Sequence, residues 1–209
     1  ERVQKITAEF LLKLTHTLKH AEPILGGSGA KGTWLSGNHD VDIFVAFDPA
    51  RVNPTTISTL LEASLQQAFP KEKMIRLHGS RDYFQICYQK INFEIVPILK
   101  ITKAKEAQNI TDVSPLHSLW VNKRAKKVKD DILLAKQFCK AQGCYGAESY
   151  IGGFSGYVLE ILVAHYGSFT KLLQGALKWK ERDVVDVEKH YKSAAETIFN
   201  INASKLHSP

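Results

Sequence analysis

Two aspartates one residue apart, Asp40 and Asp42, lie in the run DVDIFVAF at 40–47. Val41, Ile43, Val45 and Phe47 alternate there with Asp40, Asp42, Phe44 and Ala46. A period of two is the signature of a strand, so one face is apolar and the other carries both carboxylates. Neighbouring carboxylates repel each other strongly unless a cation lies between them. Upstream, Ile24-Leu25 reads as a short strand running into Gly26-Gly27-Ser28-Gly29, and eleven residues separate Ser28 from Asp40. A glycine-rich turn after a strand lets backbone N–H groups approach a phosphate closely, and Ser28 adds a hydroxyl donor. A phosphate loop ahead of paired carboxylates points to magnesium, a hard cation that shares its coordination with substrate phosphates.

Those parts suit nucleotidyl transfer. In a two-metal site, one ion lowers the pKa of an attacking RNA 3′-hydroxyl and aligns it on an α-phosphate. The other holds the triphosphate and the leaving pyrophosphate. Such a site wants a third carboxylate on a neighbouring strand. In INFEIVPI, Ile91, Phe93 and Ile95 share one face, and Glu94 faces the other way with Asn92 and Val96. Glu94 is therefore the expected third ligand.

Patterning places this site within an α+β chain. Val3, Ile6, Phe10, Leu14 and Leu18 recur at helical spacing, with Pro23 as the expected stop. Asn53-Pro54 reads as an N-cap and first helical residue for a helix carrying Ile57, Leu60, Leu61, Leu65 and Ala68. Strands are expected at 74–77, 83–88 and 91–96, the last two joined as a hairpin by Gln89-Lys90. After about residue 112 helical signals dominate. Ser114-Pro115 opens a helix expected to carry the basic run Lys123-Arg124-Ala125-Lys126-Lys127. A helix over 131–142 closes at Gly143, Ser155 caps 156–166, and Ser168 caps 169–179. A last amphipathic stretch holds Val184, Val187, Tyr191, Ala194 and Ile198. The expected domains are thus 1–112 and 113–209.

Composition narrows the setting. The 209 residues carry a formal charge of +7, which suits a polyanionic partner such as nucleic acid or nucleotide. Cys87, Cys139 and Cys144 are odd in number and lack C-x-x-C spacing, so neither a disulfide framework nor a zinc site is expected, and the cytoplasm is the default compartment. Lys5, Glu9, Lys13 and Lys19 interrupt the first twenty residues, which argues against a signal peptide. No run approaches the ~18 apolar residues a membrane span needs.

The run GSGAKGTWLSGNHDVDIFV resembles the signature of the polymerase-beta-like nucleotidyltransferase superfamily. INFEIVP, SPLHSLW and LLAKQFCKAQGCYGAESYIGGFSGYVLEILVAHYGSF extend the resemblance to archaeal-type (class I) CCA-adding enzymes, the tRNA nucleotidyltransferases, over about residues 20–175. The resemblance implies a catalytic head, a mixed sheet with flanking helices, followed by an all-helical neck that completes the nucleotide site. It implies metal binding by Asp40, Asp42 and Glu94. Ser28 would touch the triphosphate with Lys31 nearby, and His117, Lys136 and Tyr145 would contact the triphosphate and sugar. It also implies C and A addition from CTP and ATP, without a template, to the 3′ end of tRNA or a tRNA-like minihelix. Lys123, Arg124, Lys126 and Lys127 are candidate RNA-backbone contacts.

Two departures accompany the match. Family members often carry Glu then Asp in the strand pair, with Asp as the third carboxylate. Here Glu94 is one methylene longer than that Asp. Family members are also about twice as long, so the chain reads as a shortened form without the body and tail domains. A homodimer is one way to replace those domains. Two other functions fit the residues less well: a small nucleotidyltransferase acting on a protein or small molecule, and a non-catalytic RNA-binding module.

Overall fold

The structure, a computed structural model, describes residues 2–35, 40–193 and 195. The chain divides into two compact units, Glu1–Lys123 and Arg124–Pro209. The first unit keeps the helix opened by Ser114-Pro115 together with the sheet.

In the first unit, α1 (Arg2–Thr15) buries Ile6, Phe10 and Leu14, three positions of its expected apolar stripe. The helix stops before Leu18. His20 takes a positive φ of 56°, and the chain is already extended at Ala21. Pro23 therefore does not end a helix but lies inside β1 (Ala21–Leu25). Proline is tolerated there because β1 is an edge strand, paired only with β2 (Asp40–Phe47). After β2 comes α3 (Ile57–Ala68), which begins at the Thr56 cap rather than at Pro54. Asn53 instead closes a turn by accepting from the Thr55 N–H at 3.0 Å.

The remaining strands are β3 (Met74–Leu77), β4 (Tyr83–Tyr88) and β5 (Ile91–Leu99), and the sheet order is β1-β2-β5-β4-β3. The β2–β5 pair is parallel and the other pairs are antiparallel, so the sheet is mixed. Gln89 and Lys90 turn the β4–β5 hairpin at φ values of 50° and 68°. Positive φ at both central residues matches the right-handed strand twist, although neither residue is the glycine or asparagine that usually supplies it. β5 runs three residues beyond the expected Val96, through Pro97. Its ladder with β4 has ended by Ile95, so the N–H that proline lacks is not needed there.

The apolar faces of β2 and β5 meet α1 and α3. Phe10 stacks on Phe93 at 4.0 Å and on Phe69 at 4.2 Å, and all three rings are buried. Each such ring contributes roughly 1.5–3 kcal/mol of burial free energy. On the opposite face, the described residues form a small buried apolar cluster of Ala46, Val96 and Ile98. That face carries Asp40, Asp42 and Glu94. A short helix α2 (Gly27–Lys31) follows β1, and α4 (Ser114–Arg124) closes the unit. Asn122 of α4 donates to the Ala30 carbonyl of α2 at 3.0 Å.

The second unit is helical: α5 (Lys129–Ala141), α6 (Gly156–Tyr166) and α7 (Phe169–Ala176). The Ser155 and Ser168 hydroxyls cap α6 and α7 as expected, accepting from the Val158 and Lys171 N–H groups at 3.2 Å. α7 is shorter than the expected 169–179. The basic run is not carried on one helix, because α4 ends at Arg124 and Lys126-Lys127 sit in the turn that follows. From 181 to 193 there is no helix, so the first part of the last amphipathic stretch is turns and bends. Ala194 and Ile198 of that stretch lie outside the described residues.

Candidate active site

β2 and β5 are aligned so that Asp40 sits opposite Asn92 and Asp42 opposite Glu94. Because the strands are parallel neighbours, the three acids share one face at the start of the β2–β5 ladder. Asn92 donates to Asp40 Oδ1 at 3.3 Å, and Gln85 of β4 donates to Glu94 Oε2 at 3.2 Å. Asp42 is two residues along β2 from Asp40 and directly across from Glu94. Its carboxyl is raised from 3.8 to about 6, by burial first and then by Glu94 and Asp40, with Lys31 opposing them. The raised value reflects first a carboxylate removed from water and then the like charges beside it, which Lys31 offsets in part.

The glycine loop is built against this acid. Gly26 N–H donates to the Asp42 carbonyl at 2.8 Å, tying the loop to β2. Gly27 has φ 53°, and a Cβ there would come within 1.6 Å of Asp42 Oδ2. The backbone thus approaches the carboxylate as closely as only glycine permits. Ser28 lies in the first turn of α2, Lys31 is buried in its last turn, and Gly32 ends it at φ 66°. His117 is half-buried in the first turn of α4.

The acids also suit a cation chemically. Their donors are all carboxylate oxygens, and the electrostatic strain at Asp42 is of the kind a hard divalent ion relieves. Among the described residues, no three His, Cys, Asp or Glu side chains already form a cluster that could hold a metal. The three acids are neighbours on a sheet face.

In the second unit, Lys136 and Tyr145 come together at the start of α6. A Cβ on Gly156 would lie 2.7 Å from the Tyr145 hydroxyl and 3.6 Å from Lys136 Nζ. Lys136 is 2% exposed and donates to Glu160 Oε1 at 2.7 Å, and Glu160 is 1% exposed. Glu160 holds Lys136 in place. Lys140 Nζ stands 5.3 Å from the centre of the Tyr145 ring. Tyr145 bridges to Phe154 in parallel, with Gly146 N–H donating to the Phe154 carbonyl at 2.9 Å.

Lys123, Arg124, Lys126 and Lys127 are exposed. Arg124 pairs with Glu188 at 2.9 Å, so its charge is already partly compensated. Sequence reasoning missed Asp112. This buried carboxylate accepts from the Leu99, Gln108 and Asn109 N–H groups at 2.9–3.1 Å and from Arg81 at 2.6 Å. Burial alone would raise its carboxyl, but Arg81 and the backbone donors outweigh that and hold it below the usual range. It anchors the end of β5 to the segment leading into α4 and His117. A lone Asp two residues before Ser114-Pro115 gives no sequence signal of that role.

The family model described as "Nucleotidyltransferase domain" matches residues 7–139, and "tRNA nucleotidyltransferase, second domain" matches 130–205. The CCA-adding enzyme of Nanoarchaeum equitans is 43% identical over 206 residues, covering 98% of this chain and 51% of that protein. Those of Methanosarcina barkeri and Sulfolobus acidocaldarius are each 36% identical, covering 78% and 86% of this chain and 36% and 42% of theirs. The chain spans about half the length of these curated relatives, or less. Similar folds include a cytoplasmic RNA terminal U-transferase (TM-score 0.52, 22% identity, 78% of this chain and 46% of that one). Another is E. coli MS115-1 CdnC with ATP (TM-score 0.60, 17% identity, 92% and 71%). At these identities the likeness concerns the fold: a nucleotidyltransferase sheet with flanking helices, followed by a helical region. Among the described residues no helix is long and apolar enough to cross a membrane.

Proposed function

This chain belongs to the nucleotidyltransferase domain family, and on that premise we propose that it adds C and A residues to the 3′ end of tRNA or a tRNA-like minihelix, using CTP and ATP. The observation that carries the reading is the arrangement of Asp40, Asp42 and Glu94 on one sheet face, with Asp42 packed on the Gly27 backbone beside Ser28. The curated relatives named as CCA-adding enzymes narrow the substrate class.

In this reading Asp40, Asp42 and Glu94 hold magnesium. When bound, the two ions supply activation of the RNA 3′-hydroxyl and charge neutralisation on the triphosphate. The chain's own residues position the reactants. Ser28 and the Gly27–Gly29 backbone receive phosphate oxygens, and Lys31 sets the local charge beside Asp42. His117, Lys136 and Tyr145 bind the triphosphate and sugar. Lys136 acts as a point charge held in place by Glu160. The 3′-oxygen bonds to the α-phosphorus, the bond to the bridging oxygen breaks, and pyrophosphate leaves. We take 1–112 as the catalytic head and 113–209 as the neck, and the cytoplasm as the compartment.

The test uses tRNA lacking CCA and a matching minihelix, each with labelled CTP and ATP singly and together, plus magnesium. Extension of either RNA is expected. Asp42→Asn should lower it by about three orders of magnitude or more, as loss of a metal ligand and its charge stabilisation implies. No incorporation into any RNA would sink the proposal, and label appearing on protein would favour a different acceptor.

A further inference from the structure

Two thiols outside the carboxylate site are held against each other by the end of α5. Gly143 takes φ 67°, its N–H donates to the Lys140 carbonyl at 3.2 Å, and Cys144 N–H donates to the Cys139 carbonyl at 2.9 Å. This pair of bonds is the Schellman motif, which brings the side chain three residues inside the helix cap against the one two residues beyond it. Those positions usually carry apolar residues. Here they are Cys139, buried, and Cys144, half-buried, so the motif sets the two thiols side by side. Backbones joined in this way fall within the Cα separations a disulfide accepts.

Cys144 is also joined to Tyr145 and its surroundings. Its carbonyl accepts from Phe154 N–H at 2.9 Å, and a Cβ on Gly153 would lie 2.2 Å from that oxygen. The Tyr145–Phe154 bridge follows at once. Drawing the Cys144 sulfur onto Cys139 therefore pulls on the segment that places the Tyr145 hydroxyl beside Lys136.

We propose that Cys139 and Cys144 form a thiol–disulfide modification site for low-molecular-weight disulfides such as oxidised glutathione, and that closing it lowers nucleotide binding by displacing Tyr145. The second clause rests on the nucleotide role proposed above for Tyr145. Cys144, the more accessible thiol, loses its proton and attacks one sulfur of the small disulfide. That S–S bond breaks, and the first small thiolate leaves and takes up a proton. Cys139 sulfur then attacks the Cys144 sulfur and gives up its proton, and the second small thiolate leaves with it. Two protein thiols and one small disulfide thus become one protein disulfide and two small thiols. Burial, and then Cys144, push the Cys139 thiol up to about 11, which suits it as the resolving partner rather than the first nucleophile. A ring this short gains little chain entropy, so it reopens readily under reducing thiols.

The test is made in a Cys87→Ser background, because Cys87 is exposed and would react independently. Far-ultraviolet circular dichroism checks that each variant keeps the parent fold. After oxidised glutathione, intact mass should fall by two hydrogens and peptide mapping should link 139 to 144. Cys139→Ser should stop at a glutathione adduct on Cys144, and Cys144→Ser should leave Cys139 unmodified. A parent protein that keeps both thiols, or carries a stable adduct on Cys144, would overturn the site. Calorimetric affinity for CTP and ATP should fall about tenfold on oxidation, return with dithiothreitol, and not respond in Cys144→Ser. A formed disulfide with unchanged affinity would overturn the link to Tyr145. If the reduced protein binds no nucleotide, the nucleotide reading fails while the mass result still decides the chemistry.

Discussion

Asp42 carries two opposing demands. Its carboxyl is raised from 3.8 to about 6, first by burial and then by Glu94 and Asp40. Between those values the folded chain binds more proton than the unfolded chain. Stability therefore falls as pH rises through that window and stays lower above it. Asp42→Asn should raise the thermal stability of magnesium-free protein at pH 7–8 by about 1–3 kcal/mol, with the gain vanishing near pH 3.5. Added magnesium should raise the melting temperature of the parent and not of Asp42→Asn. A variant that loses stability at pH 7, measured by calorimetry without metal, would contradict the charge strain described here. Gly27→Ala tests the same contact from the other side. The positive φ costs about 1 kcal/mol, and the new methyl meets Asp42 Oδ2. Nucleotide incorporation should drop steeply, together with the magnesium-induced shift in melting temperature. The two aspartates, Glu94 and the glycine loop were all legible from parity and composition. That Gly27 packs on Asp42 was not, because it depends on the chain path between elements, which local periodicity does not encode.

At the scale of elements, α5 and α6 are joined by a buried ion pair, and its function is separable from its stability. Lys136 and Glu160 are 2.7 Å apart and nearly inaccessible. Removing either partner strands a charge and should cost about 3–5 kcal/mol, whereas replacing both by apolar residues of similar size should be nearly neutral. Glu160→Leu, Lys136→Met and the double variant, compared by urea denaturation, should show that recovery. If Lys136 also binds triphosphate, the double variant should regain stability while CTP and ATP affinity stays weak. Recovery of both would reduce Lys136 to a structural role. The sequence pattern located α6 to the residue because the Ser155 cap and Gly167 mark its ends. It misplaced the start of α3 and missed Pro23 inside β1, since both depend on what lies alongside. Thr56 holds the N-cap position without a side-chain cap bond while Asn53 is occupied in its own turn, and an edge strand accepts a proline that an interior one would not.

Over the whole molecule, a formal charge of +7 favours RNA without saying where it binds. The exposed run from Lys123 to Lys127 offers four candidate contacts of unequal value. Arg124 is engaged with Glu188, while Lys126 and Lys127 are exposed in a turn that can follow a phosphate backbone without unwinding a helix. Each phosphate contact releases counterions, so affinity should fall linearly with the logarithm of salt concentration. Lys126→Ala with Lys127→Ala should weaken minihelix binding about equally across sequences and reduce the salt slope by about 1–2. Arg124→Ala also frees Glu188 to repel RNA, whether or not Arg124 touches a phosphate itself. The two effects are separated by Arg124→Ala combined with Glu188→Gln. If Arg124 acts only through its pair, that combination should restore parental affinity and slope in a filter-binding titration from low to moderate salt. If Arg124 holds a phosphate itself, the slope stays about one unit shallower than in the parent even with Glu188 neutralised, which would extend the RNA footprint back to the end of α4.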